Sequence, residues 1–394
     1  EFANVKQALI GWSVQRTPLA TTCQTSESCT VQPCACPNAR PGELPCPDMN
    51  NNGIADSTCA PGAIGRVPWI TLGIPEPKDA AGETLWYAIA GPFRNWNDNN
   101  DPIHSDTKGS LTVRIGELDD INNVYTVTGT ITTEAIAVLF APGAAQETQD
   151  RSPAATALCP TTGTAIARNL CAANYLETAA GVNNSTTNGP FISARNSGTF
   201  NDKVMVITTS DLMPMVEQRV AREVRTILQN YKAATAALGY NGGAGVYPWV
   251  DCSNGGSDYG DNRGRFPSIT AAPVDWGISG APTLPNWFVN QNVTPPSFNW
   301  GWVIYYSVGK NYLEGGGVDC VSCEIVGSGS PPSDGSLSVN GAFGKQVVII
   351  MTGPAGASRP SLNGLGSGIC DQPQWATYVD DGANNDLSDD RYVT

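Results

Sequence analysis

Gly65-Arg66-Val67-Pro68, followed by the β-rich run Trp86-Tyr87-Ala88-Ile89-Ala90, returns later in the chain as Gly264-Arg265-Phe266-Pro267, followed by Ile304-Tyr305-Tyr306-Ser307-Val308. The recurrence extends both ways. Upstream, Val5-Lys6-Gln7-Ala8-Leu9-Ile10-Gly11-Trp12 lines up with Val224-Arg225-Thr226-Ile227-Leu228-Gln229-Asn230-Tyr231. Both place apolar residues at i, i+3/i+4 and i+7, a helical stripe that ends in an aromatic. Downstream, Gly109-Ser110-Leu111-Thr112-Val113 matches Gly335-Ser336-Leu337-Ser338-Val339, and Ile136-Ala137-Val138-Leu139-Phe140 matches Val347-Val348-Ile349-Ile350-Met351. Tyr175-Leu176-Glu177 with Asn183-Asn184 then pairs with Tyr378-Val379-Asp380 and Asn384-Asn385, and Asp202-Lys203-Val204 pairs with Asp390-Arg391-Tyr392. Seven matches in one order predict an internal duplication.

Each half reads as a helix, a Cys/Asn/Gly-rich loop and several antiparallel strands, an α+β plan. The predicted domains are residues 1–209, with a Cys-rich insertion at 23–59, and residues 210–394. The first helix is expected over Ala3 to Gln15. The second is expected to start at an N-cap Ser210, with Asp211 in its first turn and Pro214 near its start, and to end at Gly239. Val216, Val220, Val224, Ile227, Leu228 and Tyr231 form its apolar stripe. Arg219, Arg222 and Arg225, beside Glu217 and Glu223, form its solvated face.

Composition limits what such a chain can do. The 394 residues carry a formal charge of -14, yet only 15% are charged, and Gly 42 with Pro 29 makes the chain rich in turns. An acidic surface repels phosphate backbones, so nucleic acid is not expected as a partner. One histidine, His104, excludes multi-histidine metal sites. No apolar run approaches the ~20 residues that cross a bilayer. Twelve cysteines, six of them between 23 and 59, do not repeat at zinc-ribbon spacing. They predict a disulfide framework and an extracytoplasmic protein. The segment 23–59 is expected to pair within itself, and Cys159 with Cys171. Cys252, Cys320, Cys323 and Cys370 allow three connectivities, with Cys320–Cys323 and Cys252–Cys370 favoured.

The order of these segments carries a family resemblance. "LPCPD" (Leu44 to Asp48), an Asp/Asn/Gly loop, "GRVPWITLGIP" (Gly65 to Pro75), "LWYAI" (Leu85 to Ile89), "AVLFAPGAA" (Ala137 to Ala145) and "TFNDKVMVIT" (Thr199 to Thr208) resemble the tandem type IV pilin-like proteins of Gram-negative bacteria, of the prepilin-type N-terminal cleavage/methylation family. The resemblance spans nearly the whole chain. It implies two tandem pilin-like domains, each an N-terminal helix packed on an antiparallel sheet. It also implies a non-enzymatic structural or adhesive subunit, minor or specialised, of a pilus or related extracellular filament. Its partners would be other pilin subunits and a host or surface glycan. Pilins begin with a hydrophobic anchoring helix. Residues 3 to 15 read as the amphipathic end of such a helix, so the chain is expected to be a soluble ectodomain with the anchor removed.

One local motif suggests a ligand. Asp48, Asn50, Asn52 and Asp56 fall at positions 1, 3, 5 and 9 of an EF-hand-type loop, with Gly53 at 6 and the Ile54 carbonyl at 7. Position 12 is Cys59 rather than Glu, so either a structural calcium ion or a plain Asx turn fits. The matching stretch Asp251 to Asp261 has lost the spacing. The acidic cluster Asp380, Asp381, Asp386, Asp389 and Asp390 reads as solvated surface, and His104 as a loop residue. Trp249, Trp276, Trp287, Trp300 and Trp302 read as core, with a sugar platform as the alternative. A secreted glycoside hydrolase using two carboxylates, or a carbohydrate-binding surface protein, is the rival function; a hydrolase should show a deep cleft and one carboxylate of raised pKa.

Overall fold

The computed structural model describes residues 1–15, 41–94, 103–146, 149–153, 156–160, 162–248, 263–266, 300, 304–313, 337–339, 342–351, 353–354 and 391–392. The chain divides into two units, one of Glu1–Asn99 with Thr107–Val216 and one of Asn100–Asp106 with Glu217–Thr394. The first contains α1 (Phe2–Gln15), β1 (Ile64–Arg66), α2 (Trp69–Leu72), β2 (Trp86–Ile89), β3 (Leu111–Asp119), β4 (Val124–Ala135), β5 (Ala137–Ala141), β6 (Thr156–Cys159), β7 (Thr164–Ala167), β8 (Thr178–Ala179), β9 (Val182–Asn183), β10 (Phe191–Ala194) and β11 (Lys203–Ile207). The long helix α3 (Thr209–Ala237) begins there and continues into the second unit, which adds β12 (Arg263–Arg265), β13 (Ile304–Val308), β14 (Leu337–Val339), β15 (Ala342–Lys345), β16 (Val347–Met351) and β17 (Arg391–Tyr392). The fold is mixed α and β with mostly antiparallel sheets. The division between units falls inside α3.

In the first unit one sheet has the order β1-β2-β5-β11 and is antiparallel throughout; a second has the order β10-β3-β4. β10 runs parallel to β3, a departure from the all-antiparallel expectation. The runs WYAI of β2 and AVLFA of β5 lack polar residues because the first sheet is covered on both faces. Toward the second sheet, Trp86, Val138 and Phe140 join Leu111, Val113 and Phe191 in one apolar cluster. Phe140 meets Phe191 edge-on at 5.0 Å between ring centroids. On the opposite face Tyr87, Ile89, Leu139 and Ile207 are equally buried.

The outer strand β4 is 12 residues long and carries no charge before Glu134. Among the described residues it has a paired neighbour on one side only, β3. Three irregularities in that pairing each place an extra residue on β4, which bends and twists the strand.

Helix α3 starts two residues earlier than its sequence suggests. Thr208 rather than Ser210 precedes it: the Asp211 carboxylate accepts the Thr208 backbone N–H at 2.9 Å and its hydroxyl at 3.0 Å, the backward-reaching half of a capping box. Val216, Val220, Val224, Leu228 and Tyr231 are buried as expected, while Ile227 is half-buried. Arg219, expected on the solvated face, is buried and donates to Glu223 at 2.6 Å. Gly239, in the left-handed conformation at φ 86°, ends the helix.

In the second unit the sheets are β12-β13-β16 and β15-β14-β17, with β17 parallel to β14. Its backbone pairing follows that of the first unit closely. Gly65 opposes Tyr87 and Tyr87 opposes Leu139; Gly264 opposes Tyr306 and Tyr306 opposes Ile349. Beyond these strands, Ala90 N–H donates to the Ile136 carbonyl at 2.8 Å, as Gly309 N–H donates to Gln346 at 2.8 Å. A 3-10 turn follows in each case, and its last carbonyl, Phe93 or Tyr312, accepts the N–H of Leu44 (2.7 Å) or Tyr247 (2.8 Å).

A tyrosine completes both clasps. Tyr87 Oη donates to the Pro45 carbonyl at 3.2 Å, and Tyr306 Oη donates to the Pro248 carbonyl at 3.1 Å. These pairings equate Tyr87 with Tyr306 and Ala137 with Val347, each one residue away from the sequence match. They also set β17 opposite β14 as β10 is set opposite β3, so Arg391-Tyr392 stands in the place of β10 rather than of Lys203-Val204.

Burial holds both phenols well above the ordinary tyrosine range, so each remains a donor at any ordinary pH. Tyr87→Phe and Tyr306→Phe each strand a buried prolyl carbonyl and are expected to cost about 1–3 kcal/mol. Denaturant unfolding followed by tryptophan fluorescence checks this; a loss under about 0.5 kcal/mol in both variants would show that the clasp contributes little.

Candidate functional site

The Asp48–Asp56 loop hangs from the edge of β1. Asp48 and Arg66 exchange backbone hydrogen bonds, Asp48 N–H to Arg66 O at 2.9 Å and Arg66 N–H to Asp48 O at 2.8 Å. The approach requires glycine beside Arg66, because a Cβ on Gly65 would lie 2.8 Å from the Asp48 carbonyl oxygen. Asp48 is 2% exposed, and its carboxylate accepts Asn52 N–H at 3.1 Å and Gly53 N–H at 2.6 Å. Asn52 Oδ1 accepts Ile54 N–H at 2.8 Å. The Asp56 carboxylate accepts Met49 N–H at 2.7 Å and Asn50 Nδ2 at 3.4 Å. Gly53 sits at φ 80°, where a Cβ would also strike Trp69 at 2.7 Å. Thus the glycine at loop position 6 is required by the turn itself.

All five expected ligand positions, Asp48, Asn50, Asn52, Ile54 and Asp56, fall in this one turn. The side-chain oxygens of Asp48, Asn52 and Asp56 are held by the loop's own N–H groups, with an Asx turn at Asn52. Partial burial raises the Asp56 pKa; the Met49 N–H opposes that shift and the Asp48 charge adds to it. Two carboxylates and two amides are fewer charges than a tight calcium loop carries. Among the described residues no group of three or more His, Cys, Asp and Glu side chains could hold a metal ion.

Two disulfides flank this region of the first unit. Cys46–Cys59 closes the loop, with Cα atoms 5.8 Å apart, and Cys159–Cys171, with Cα atoms 5.6 Å apart, ties the β6–β7 hairpin to the turn after it. The second pair is the one expected from sequence. Arg94 donates to the Cys59 carbonyl, fixing the far end of the loop. An open, mainly apolar depression of about 430 Å³ is lined by Met49, Cys59, Ile64, Leu170, Ala172 and neighbouring threonines. Cys252, Cys320, Cys323 and Cys370 lie outside the described residues, as do the C-terminal acidic cluster, the stretch Asp251 to Asp261 and Trp249, Trp276, Trp287 and Trp302. Trp300 is fully buried. His104 is buried, and its Nδ1 accepts Asp106 N–H at 3.2 Å.

Sequence reading missed one cluster. Glu177, Asn184 and Asp202 are 7%, 0% and 1% exposed. Asn184 clamps Ile192 of β10, accepting its N–H at 2.7 Å and donating to its carbonyl at 3.0 Å. Its Nδ2 also reaches Asp202 Oδ2 at 2.9 Å. No local pattern signals it, because Asp202 stands between Asn201 and Lys203 and Glu177 is followed by Thr178. These carboxyls are enclosed rather than set in an open cleft.

No family model, curated protein or solved structure matches this chain. Chemically, the site is a pinned turn beside an apolar depression, suited to a supporting or contact role. Replacing Cys46 and Cys59 by alanine is expected to lower the stability of the first unit by roughly 3 kcal/mol, the chain-entropy value for a loop near this size. Calorimetry of the double variant under non-reducing conditions reads the loss; an unchanged melting temperature would mean that the turn holds without its staple.

Proposed function

We propose that the chain is a structural and adhesive subunit, minor or specialised, of a type IV pilus or related extracellular filament, built from two tandem pilin-like modules. The observation that carries this reading is the clasp repeated in both units: the same antiparallel pairing, the same 3-10 turn and the same tyrosine-to-prolyl-carbonyl bond. Repetition on this scale supports a duplicated module. The disulfides support an oxidising, extracellular setting. Among the described residues no helix is long and apolar enough to cross a membrane. Filament assembly would therefore rest on surfaces of the two units or on an anchor preceding them.

Antibodies raised against the purified chain are expected to decorate surface filaments on intact cells that produce it. Labelling confined to the cell interior would sink the proposal. A glycan array separates adhesion from a purely structural role, and release of reducing sugar from a bound glycan would favour the glycosidase reading instead.

Calcium at Asp48–Asp56 belongs to the same proposal. The ion would take over Asp48, Asp56, Asn50, Asn52 and the Ile54 carbonyl from the N–H donors that now hold the side chains, on a loop already closed by Cys46–Cys59. Saturating calcium, at about a hundredfold excess over its dissociation constant, is expected to add roughly 2.7 kcal/mol to the stability of the first unit. Chelator should remove that gain in the parent, and Asp48→Ala should abolish it. An identical melting temperature with calcium and with chelator would leave the loop as a turn.

A further inference from the structure

Glu177 and Asp202 are enclosed by the segments around β8, β9, β10 and β11, and each carboxyl accepts the other residue's backbone N–H, which sets the two groups side by side. Donors already fill three positions on the pair. Glu177 Oε1 accepts Gln149 Nε2 at 2.8 Å, and Oε2 accepts the backbone N–H groups of Asn201 and Asp202 at 3.0 and 3.1 Å. Asp202 Oδ2 accepts Glu177 N–H and Asn184 Nδ2, each at 2.9 Å. Asp202 Oδ1 is buried with no donor.

Nearby charged side chains are engaged elsewhere. Arg151 stacks on Tyr175, 4.5 Å from the ring centroid, and donates to the Gly143 and Asn174 carbonyls, Gln149 and Glu83. Arg66 stacks on the same ring at 4.6 Å and donates to the Asn169 carbonyl. Lys203, next in sequence to Asp202, donates to Asn196 at 2.5 Å. Two ionised carboxylates here would face each other without a counter-charge, a costly arrangement in a buried site.

We propose that this pair is a proton-binding site: Asp202 holds a proton on Oδ1 and donates it to ionised Glu177, and the shared proton locks β8–β9 and β10 to the start of β11. Burial pushes the Asp202 carboxyl well above the ordinary carboxylate range, and the Glu177 charge pushes it further. The sign follows directly. The folded chain keeps a proton that the unfolded chain releases near pH 4. The pair's contribution to stability is therefore complete below that pH and falls as pH rises through the folded-state value.

Asparagine at 202 would imitate the protonated acid. Its Oδ1 would accept from Glu177 N–H and Asn184, and its amide would donate to the Glu177 carboxylate. Glutamine at 177 would instead set an amide N–H against existing donors at either oxygen. Asp202→Asn is therefore expected to fold and to lose the pH dependence that the parent shows. Over the window above pH 4, the parent's unfolding constant should rise relative to the variant's by up to about tenfold per pH unit. Glu177→Gln should be destabilised at every pH. Equal pH profiles for parent and Asp202→Asn, or a tolerated Glu177→Gln beside a disrupted Asp202→Asn, would overturn the assignment.

An infrared measurement on the parent keeps the test decisive should Asp202→Asn fail to fold. At pH 6, about two units above an ordinary carboxyl pKa, the folded parent should retain one protonated-carboxyl band that disappears on unfolding. Its absence would overturn the proposal.

Discussion

A prolyl carbonyl buried next to a sheet must find a donor, and in both units a tyrosine hydroxyl supplies it. The rest of the architecture follows from that requirement. Tyr87 and Tyr306 each sit inside a fully buried strand whose ladder occupies the backbone. The phenol is long enough to cross the sheet face and reach the segment that carries Pro45 or Pro248. That segment is held at its other side by the 3-10 turn after the strand. Strand, turn and proline segment thereby form a closed circuit of hydrogen bonds.

The Asp48 loop is an extension of this circuit in the first unit. Leu44 and Pro45 are fixed by the clasp, Asp48 by its exchange with Arg66, and Cys46 and Cys59 by their disulfide. What emerges between them is a turn whose shape is set before any ligand arrives. The buried carboxyl pair serves the same unit where a parallel strand must be held beside β3 without a direct hairpin. Asn184 bridges there, bonding to β10 with both ends of its amide.

Much of this was legible in the residues. The apolar runs of β2 and β5, the stripe of α3 apart from Ile227, and the Cys159–Cys171 pair all depend on local pattern, and took their expected places. Register did not. The sequence match set Tyr87 against Tyr305, whereas the ladder aligns Tyr87 with Tyr306, because the tyrosine hydroxyl and its prolyl acceptor fix the position. The parallel placement of β10 and of β17 was equally hidden, since strand direction depends on partners far away in sequence. Ser210 was the expected cap of α3, but the Asp211 carboxylate reaches back to Thr208 and the helix starts at Thr209. Glu177 and Asp202 lie 25 residues apart, and neither segment alone signals that the carboxyls meet.

The irregular pairing of β4 bears on how such a chain stays dispersed. Ten successive residues, from Val124 to Thr133, are β-branched, small or aromatic and carry no charge. Stretched flat, they would offer an even rail of N–H and C=O groups, the usual seed of cross-β stacking. Each extra residue breaks that rail into short, differently angled pieces, so an incoming strand would find no long run in phase. Backbone geometry here provides the protection against fibre growth that lysines or prolines give other outer strands. The surface of this hairpin can then stay rich in threonine and valine without becoming adhesive to itself.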